Sequence, residues 1–139
     1  MHKKIQIVII DLHNSMQRVL LLKTNKTSGN FWQNVTGSVE KNEDFMKAAK
    51  RELFEETGIT NINLIELPLS FEFHDRLKRY VNEKVYLALI DSSHNIIKLS
   101  NEHEESKWLT IDEVNEENYG YHSNYDALLS AKNVLRQSK

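Results

Sequence analysis

Between Asn42 and Gly58 the chain carries both ends of one helix and a charge conflict within it. Asn42 suits an N-cap, Glu43 and Asp44 suit the positive end of the helix dipole, and Gly58 stands where a left-handed C-cap is usual. A helix of about four turns follows. At 100° per residue, Phe45, Ala48, Ala49 and Leu53 share one apolar face, with Lys47, Lys50 and Phe54 opposite. Glu52, Glu55 and Glu56 project along or beside that apolar arc, spaced i, i+3 and i+4. Like charges so spaced cost about 0.2–0.5 kcal/mol even when exposed, and acids are unfavourable at a helix C-terminus. A solvated acidic helix end is the ordinary reading of paired glutamates. Here the dipole argues for a cation among them, and a hard divalent ion such as Mg²⁺ takes oxygen ligands.

A chain of 139 residues with 40% apolar content is long enough to bury a core, and one domain over 1–139 is expected. It has no cysteine, which excludes a disulfide framework and a thiolate zinc site. A formal charge of -2 supplies no basic field, so nucleic acid is not an expected partner. The opening MHKKIQIVIIDL sets two lysines before a short apolar run. Gln6 and Asp11 interrupt that run and no small-residue cleavage site follows, so a buried strand is expected rather than a secretion signal. No stretch is long enough to cross a bilayer, and the expected setting is cytoplasmic, without a membrane partner.

Strands are expected over 4–12 and 17–24, joined by the HNSM turn, with 23–30 a loop by composition. A short strand over 32–36 leads to Gly37, where the missing side chain suits a tight turn or a close backbone approach. Residues 61–73 and 83–90 form a hairpin around the basic turn 74–80, with Pro68 marking an edge, bulge or bend. Further strands are expected at 96–99 and 106–109, and a brief helix opens on Thr110 and Glu113. A last helix begins at Ser123 and buries Tyr125, Leu128, Leu129 and Leu135. Interleaved strands and helices predict an α/β/α sandwich around a mixed sheet. Lys23 and Arg76 fit either an anionic ligand or, respectively, a strand end and a hairpin tip. Trp32 fits either a ring contact or the core, and Gln33 and Asn34 adjoin it.

Gly37, Glu43, Arg51, Glu52, Glu55, Glu56 and Gly58, at their spacing, resemble the signature of the Nudix hydrolase family. Seven fixed identities at fixed spacing arise by chance in roughly one window in 10⁸. The resemblance implies an α/β/α fold and hydrolysis of a diphosphate linked to another group. It implies Glu52, Glu55 and Glu56 as ligands of Mg²⁺, with Mn²⁺ as an alternative. It also makes Arg51 the group that orients a glutamate, with Glu43 pairing with Arg51 or supporting the helix start. One of the glutamates would take the proton from water.

Residues 32–40 (WQNVTGSVE), Glu102–His103, Lys107–Leu109 and Ser123–Asn124 are similar to the branch of that family acting on dihydroneopterin triphosphate or dATP. That likeness implies Glu102 as a further metal ligand or base and a small-molecule triphosphate as substrate, cleaved to the monophosphate and pyrophosphate. Oxidised deoxynucleoside triphosphates and dinucleoside polyphosphates are the alternative substrates, and a non-catalytic nucleotide sensor is the alternative class. The segment between the central strands departs from that branch, so the resemblance specifies the reaction more closely than the ring.

Overall fold

The computed structural model describes residues 1–13, 15–24, 31–100 and 103–137, and only the backbone of Thr24, His103 and Glu104. Its centre is β1 (His2–Asp11), buried without interruption from Ile5 to Asp11. A strand covered on both faces reads as a continuous apolar run, which is what IQIVII encodes. β1 pairs antiparallel with β2 (Arg18–Thr24) and β4 (Val35–Ser38), and parallel with β6 (Tyr80–Ile90). The short β3 (Trp32–Gln33) and β7 (His103–Thr110) pair with β2, and β5 (Leu64–His74) pairs with β6. The result is a mixed seven-stranded sheet.

Among the described residues, each face carries one α-helix. Ile5, Ile7 and Ile9 meet Ala48, Ala49 and Leu53 of α1 (Phe45–Thr57). Val8 and Ile10, pointing the other way, meet Ala127, Leu128, Ala131 and Leu135 of α2 (His122–Gln137). Complete burial of each such aliphatic side chain contributes about 1.5–3 kcal/mol. The layers are therefore those of an α/β/α sandwich, as the alternating pattern predicts. β5 ends the sheet, carrying Pro68 within a register shift between Glu66 and Ser70. The missing proline N–H and the bulge keep it at an edge.

Several boundaries differ from the sequence reading, each for a local reason. Asn42 is not the cap: it turns left-handed at φ 66°, and Asp44 caps α1 by accepting from Lys47 N at 2.7 Å. Gly58 does close the helix at φ 79°, its N–H donating to Phe54 O. No strand forms at 96–99; Lys98 N instead donates to Thr57 O, tying that segment to the end of α1. Thr110 and Glu113 close a turn rather than open a helix, and the helical turn falls later, at Glu116–Asn118, capped by Asn115. In α2, Leu129 is 39% exposed, while the smaller Asn124, Ala127 and Ala131 take the buried face. Among the described residues no helix is long and apolar enough to cross a membrane.

Candidate active site

The cation that the three glutamates call for is present in the chain itself. All five N–H donors of Arg51 are engaged. Nε and Nη2 grip Glu43 at 2.8 and 3.0 Å, Nη1 reaches Glu52 at 2.8 Å and Glu55 at 3.0 Å, and Nη2 also donates to Ser38 O at 2.9 Å. Glu40 approaches to 3.6 Å. Glu43 precedes the helix, so helical spacing does not set where it points. The turn from Glu40 to Asp44 brings it back to Arg51, where it also accepts from Glu40 N at 2.9 Å. The Arg51 guanidinium holds the Glu43 carboxyl down to about 2, while Glu43 pushes the arginine further up.

Gly37 faces Glu52 across the gap between β4 and α1. A Cβ at position 37 would overlap the Glu52 carboxyl, coming within 2.5 Å of Cγ and Oε2. Glycine is thus required here by space rather than by backbone angle. Glu55 keeps 52% of its side chain in solvent, whereas Glu56 is 2% exposed at the sheet side of α1. Arg51 takes one oxygen each of Glu52 and Glu55. Accordingly, among the described residues no three acidic or histidine side chains stand ready-gathered around a metal position. The carboxylates still outnumber the single guanidinium, and their hard oxygen donors suit Mg²⁺ or Mn²⁺.

The other expected site residues are placed as follows. Lys23 and Trp32 pair between β2 and β3, with Gln33 beside them opposite Leu22. Trp32 packs on the α2-side core with Lys107 Nζ 4.1 Å from its ring centroid. Arg76 sits on the exposed β5–β6 turn, which Asp75 organises through Leu77 N and Arg79. Glu102 and most of the 23–30 loop lie outside the described residues.

A second polar group escapes sequence reasoning. Asn34 donates through Nδ2 to Gln6 Oε1 (2.8 Å) and to Asn124 O (3.2 Å), and through its backbone N–H to Asn124 Oδ1 (2.7 Å). Gln6 Nε2 donates to Glu83 Oε1 at 3.0 Å, and Tyr119 Oη to Asn34 Oδ1 at 3.4 Å. Gln6, Asn34, Glu83 and Asn124 are all buried. Burial raises the Glu83 pKa, against the pull of Gln6 and Lys4. The available signal is a pair of polar residues, Gln6 and Glu83, at buried positions next to the apolar Val8 and Val85 on that face.

Comparison with known proteins fits this geometry. The NUDIX domain family matches residues 2–129. An RNA pyrophosphohydrolase of Pelagibacter ubique is 33% identical in an alignment of 125 positions covering 76% of this chain and 79% of that protein. Other curated relatives match over less of their length, 31% in an octanoyltransferase of Myxococcus xanthus that is 29% identical. The E. coli dihydroneopterin triphosphate pyrophosphohydrolase structure is 28% identical, with TM-score 0.76 and 91% of each chain covered. A C. elegans Ap4A hydrolase, 23% identical at TM-score 0.83 over 99% of each chain, shares the fold. The chain belongs to the NUDIX family and is a pyrophosphohydrolase, a hydrolase of phosphorus-containing acid anhydrides.

Proposed function

We propose that the substrate is a small triphosphate, a pterin or nucleoside triphosphate of the dihydroneopterin triphosphate or dATP kind, cleaved to the monophosphate and pyrophosphate. The observation that carries this reading is the carboxylate set of α1 gathered about Arg51 and pressed against Gly37. The 28% identity to the dihydroneopterin triphosphate enzyme over 91% of both chains supports the substrate class.

In this reading Glu52, Glu55 and Glu56, with Glu102, hold one or more divalent ions, and the chain works as one catalytic unit. A bound ion would neutralise the polyphosphate and acidify water. Arg51 keeps Glu52 and Glu55 in place through bonds to one oxygen of each. Gly37, lacking a side chain, lets the Glu52 carboxyl lie directly against β4. A water oxygen bonds to phosphorus, the P–O bond to the departing pyrophosphate breaks, and the water proton passes to a carboxylate. Among Glu52, Glu55 and Glu56, Glu55, half in solvent, is the one that water reaches most readily. Lys23, Trp32, Gln33 and Arg76 are proposed contacts for the rest of the substrate.

Release of phosphate from dihydroneopterin triphosphate and dATP, measured with and without added inorganic pyrophosphatase, tests the reaction. Signal dependent on the coupling enzyme is expected; equal signal without it would overturn pyrophosphate release. The Pelagibacter relative favours a second reading in which the triphosphate is carried by RNA. A 5′-triphosphorylated oligonucleotide in the same assay decides between them, and faster turnover of the small substrates is expected from a chain of net charge -2.

A further inference from the structure

The buried carboxyl of Glu83 has no part in the chemistry assigned to α1. Glu83 is 4% exposed and stands in β6 opposite Lys4 of β1 and Phe71 of β5. Residues paired across neighbouring strands project to one face, so these three share the α2 side of the sheet. Thr36 and Ser38 join them there, opposite Gln6 and Lys4. These two flank Gly37, whose own side is turned to Glu52. The Glu83 face therefore adjoins the carboxylate–arginine cluster through a single strand, β4. Lys4, Thr36 and Phe71 are half-buried and Ser38 is exposed, so this end of the face is open where Val8, Val85 and Leu87 are not.

The direction of the amide chain bears on what Glu83 does. Tyr119 donates to Asn34, Asn34 to Gln6, and Gln6 to Glu83. Glu83 is the terminal acceptor, and Gln6 is its one hydrogen-bond partner among the described residues. Its second oxygen remains for an incoming donor. A buried carboxyl with one partner is costly, and an apolar residue of similar volume would fill a merely structural position at less cost. Phe71 beside it offers an aromatic surface, and Lys4 on the other side a cation.

We propose that Glu83 is a specificity-determining residue that reads the N–C–NH₂ edge of a heterocycle. Pterins, adenine and guanine have that edge; thymine and hypoxanthine lack it. The carboxyl accepts from the exocyclic amino group. Ionised, it also accepts from a neighbouring ring N–H; protonated, it donates to a bare ring nitrogen. The inference rests on the triphosphate reading above and adds which rings are taken.

The test compares kcat/KM for dihydroneopterin triphosphate, dATP and dGTP with that for dTTP and dITP, in the full chain and in Glu83→Met. Mn²⁺ affinity and Tm are measured alongside. Wild type should favour the amino-bearing rings by about ten-fold or more. Glu83→Met should bring the ratios within about three-fold, mainly through KM, at unchanged Mn²⁺ affinity. Equal handling of dGTP and dITP by wild type, ratios preserved in the variant, or an equal loss on every substrate would each overturn the proposal. Should the variant fail to fold, the wild-type ratio of dGTP to dITP decides alone. If wild type cleaves no triphosphate, the reaction reading fails separately. Calorimetry of neopterin and adenosine against thymidine and inosine then decides Glu83: selective binding supports it, and equal or absent binding overturns it.

Discussion

The two sides of the sheet carry two polar networks built on opposite terms. On the α1 side, Arg51 gathers Glu43, Glu52 and Glu55 with charge-assisted bonds and draws Glu40 to 3.6 Å, in a partly exposed cluster drawn from one short run of sequence. On the α2 side, Asn34 gathers Gln6, Tyr119 and Asn124 with neutral bonds in the interior, from residues far apart in the chain. The first arrangement tolerates water and leaves surplus negative charge for a metal. The second is sensitive to the loss of any member, because a buried polar group that loses its partner costs about 1–3 kcal/mol. The charged carboxylate cluster and the interior amide network that ends at Glu83 thereby lie on opposite faces of one sheet.

The sharpest break in that comparison is Glu56→Gln, which keeps shape and removes charge. Turnover should fall on the order of a thousand-fold, about 4 kcal/mol in the barrier, with Tm nearly unchanged. Steady-state kinetics with a melting curve check it, and near-normal turnover in a folded variant would remove Glu56 from the metal set. Asn34→Ala should do the reverse, costing about 2–3 kcal/mol in urea denaturation while Mn²⁺ affinity stays within about two-fold. A weakened metal site in that variant would show that the two networks are one.

Arg51→Lys keeps the charge but loses the five-donor fork, and should cost about 1–2 kcal/mol at neutral pH. The folded Glu43 pKa is depressed from 4.5 to about 2. The stability that depression represents is fully present above pH 4.5 and is lost as pH falls through 2. The stability gap between wild type and Arg51→Lys should therefore be flat above pH 5 and narrow toward pH 2. A gap independent of pH throughout would detach Glu43 from Arg51. The smallest effect is expected of Asp44→Ala, about 1 kcal/mol for one helix cap. The corresponding Asn42→Gly should shift the urea midpoint less, since Asn42 caps nothing and glycine takes its left-handed angle without steric cost.

The same contrast explains what the sequence makes legible. Gly37, Arg51 and the helix glutamates sit at fixed short spacings, so their grouping follows from one helix and one turn. The placement of Glu43 needed the loop geometry, because a wheel drawn through Asn42 assigns helical angles to residues that are not helical. Gln6 and Glu83 meet only after β1 and β6 pair in parallel across 77 positions of sequence. No local pattern announces that register. Leu129 points outward because the buried stripe of α2 runs through Asn124, Ala127, Leu128, Ala131 and Leu135 at helical spacing, and Leu129 lies one residue, about 100°, past Leu128.

β5 offers a last consequence. An unshared strand edge bearing Ile65 and Phe73, 39% and 36% exposed, is the kind of surface on which copies of a chain add to one another. Pro68 deletes a donor midway, the neighbouring slip in register bends the strand, and Glu66 and Glu72 place charge along it. The irregularity that looks like a flaw in the sheet is also a barrier to β-polymerisation at high protein concentration.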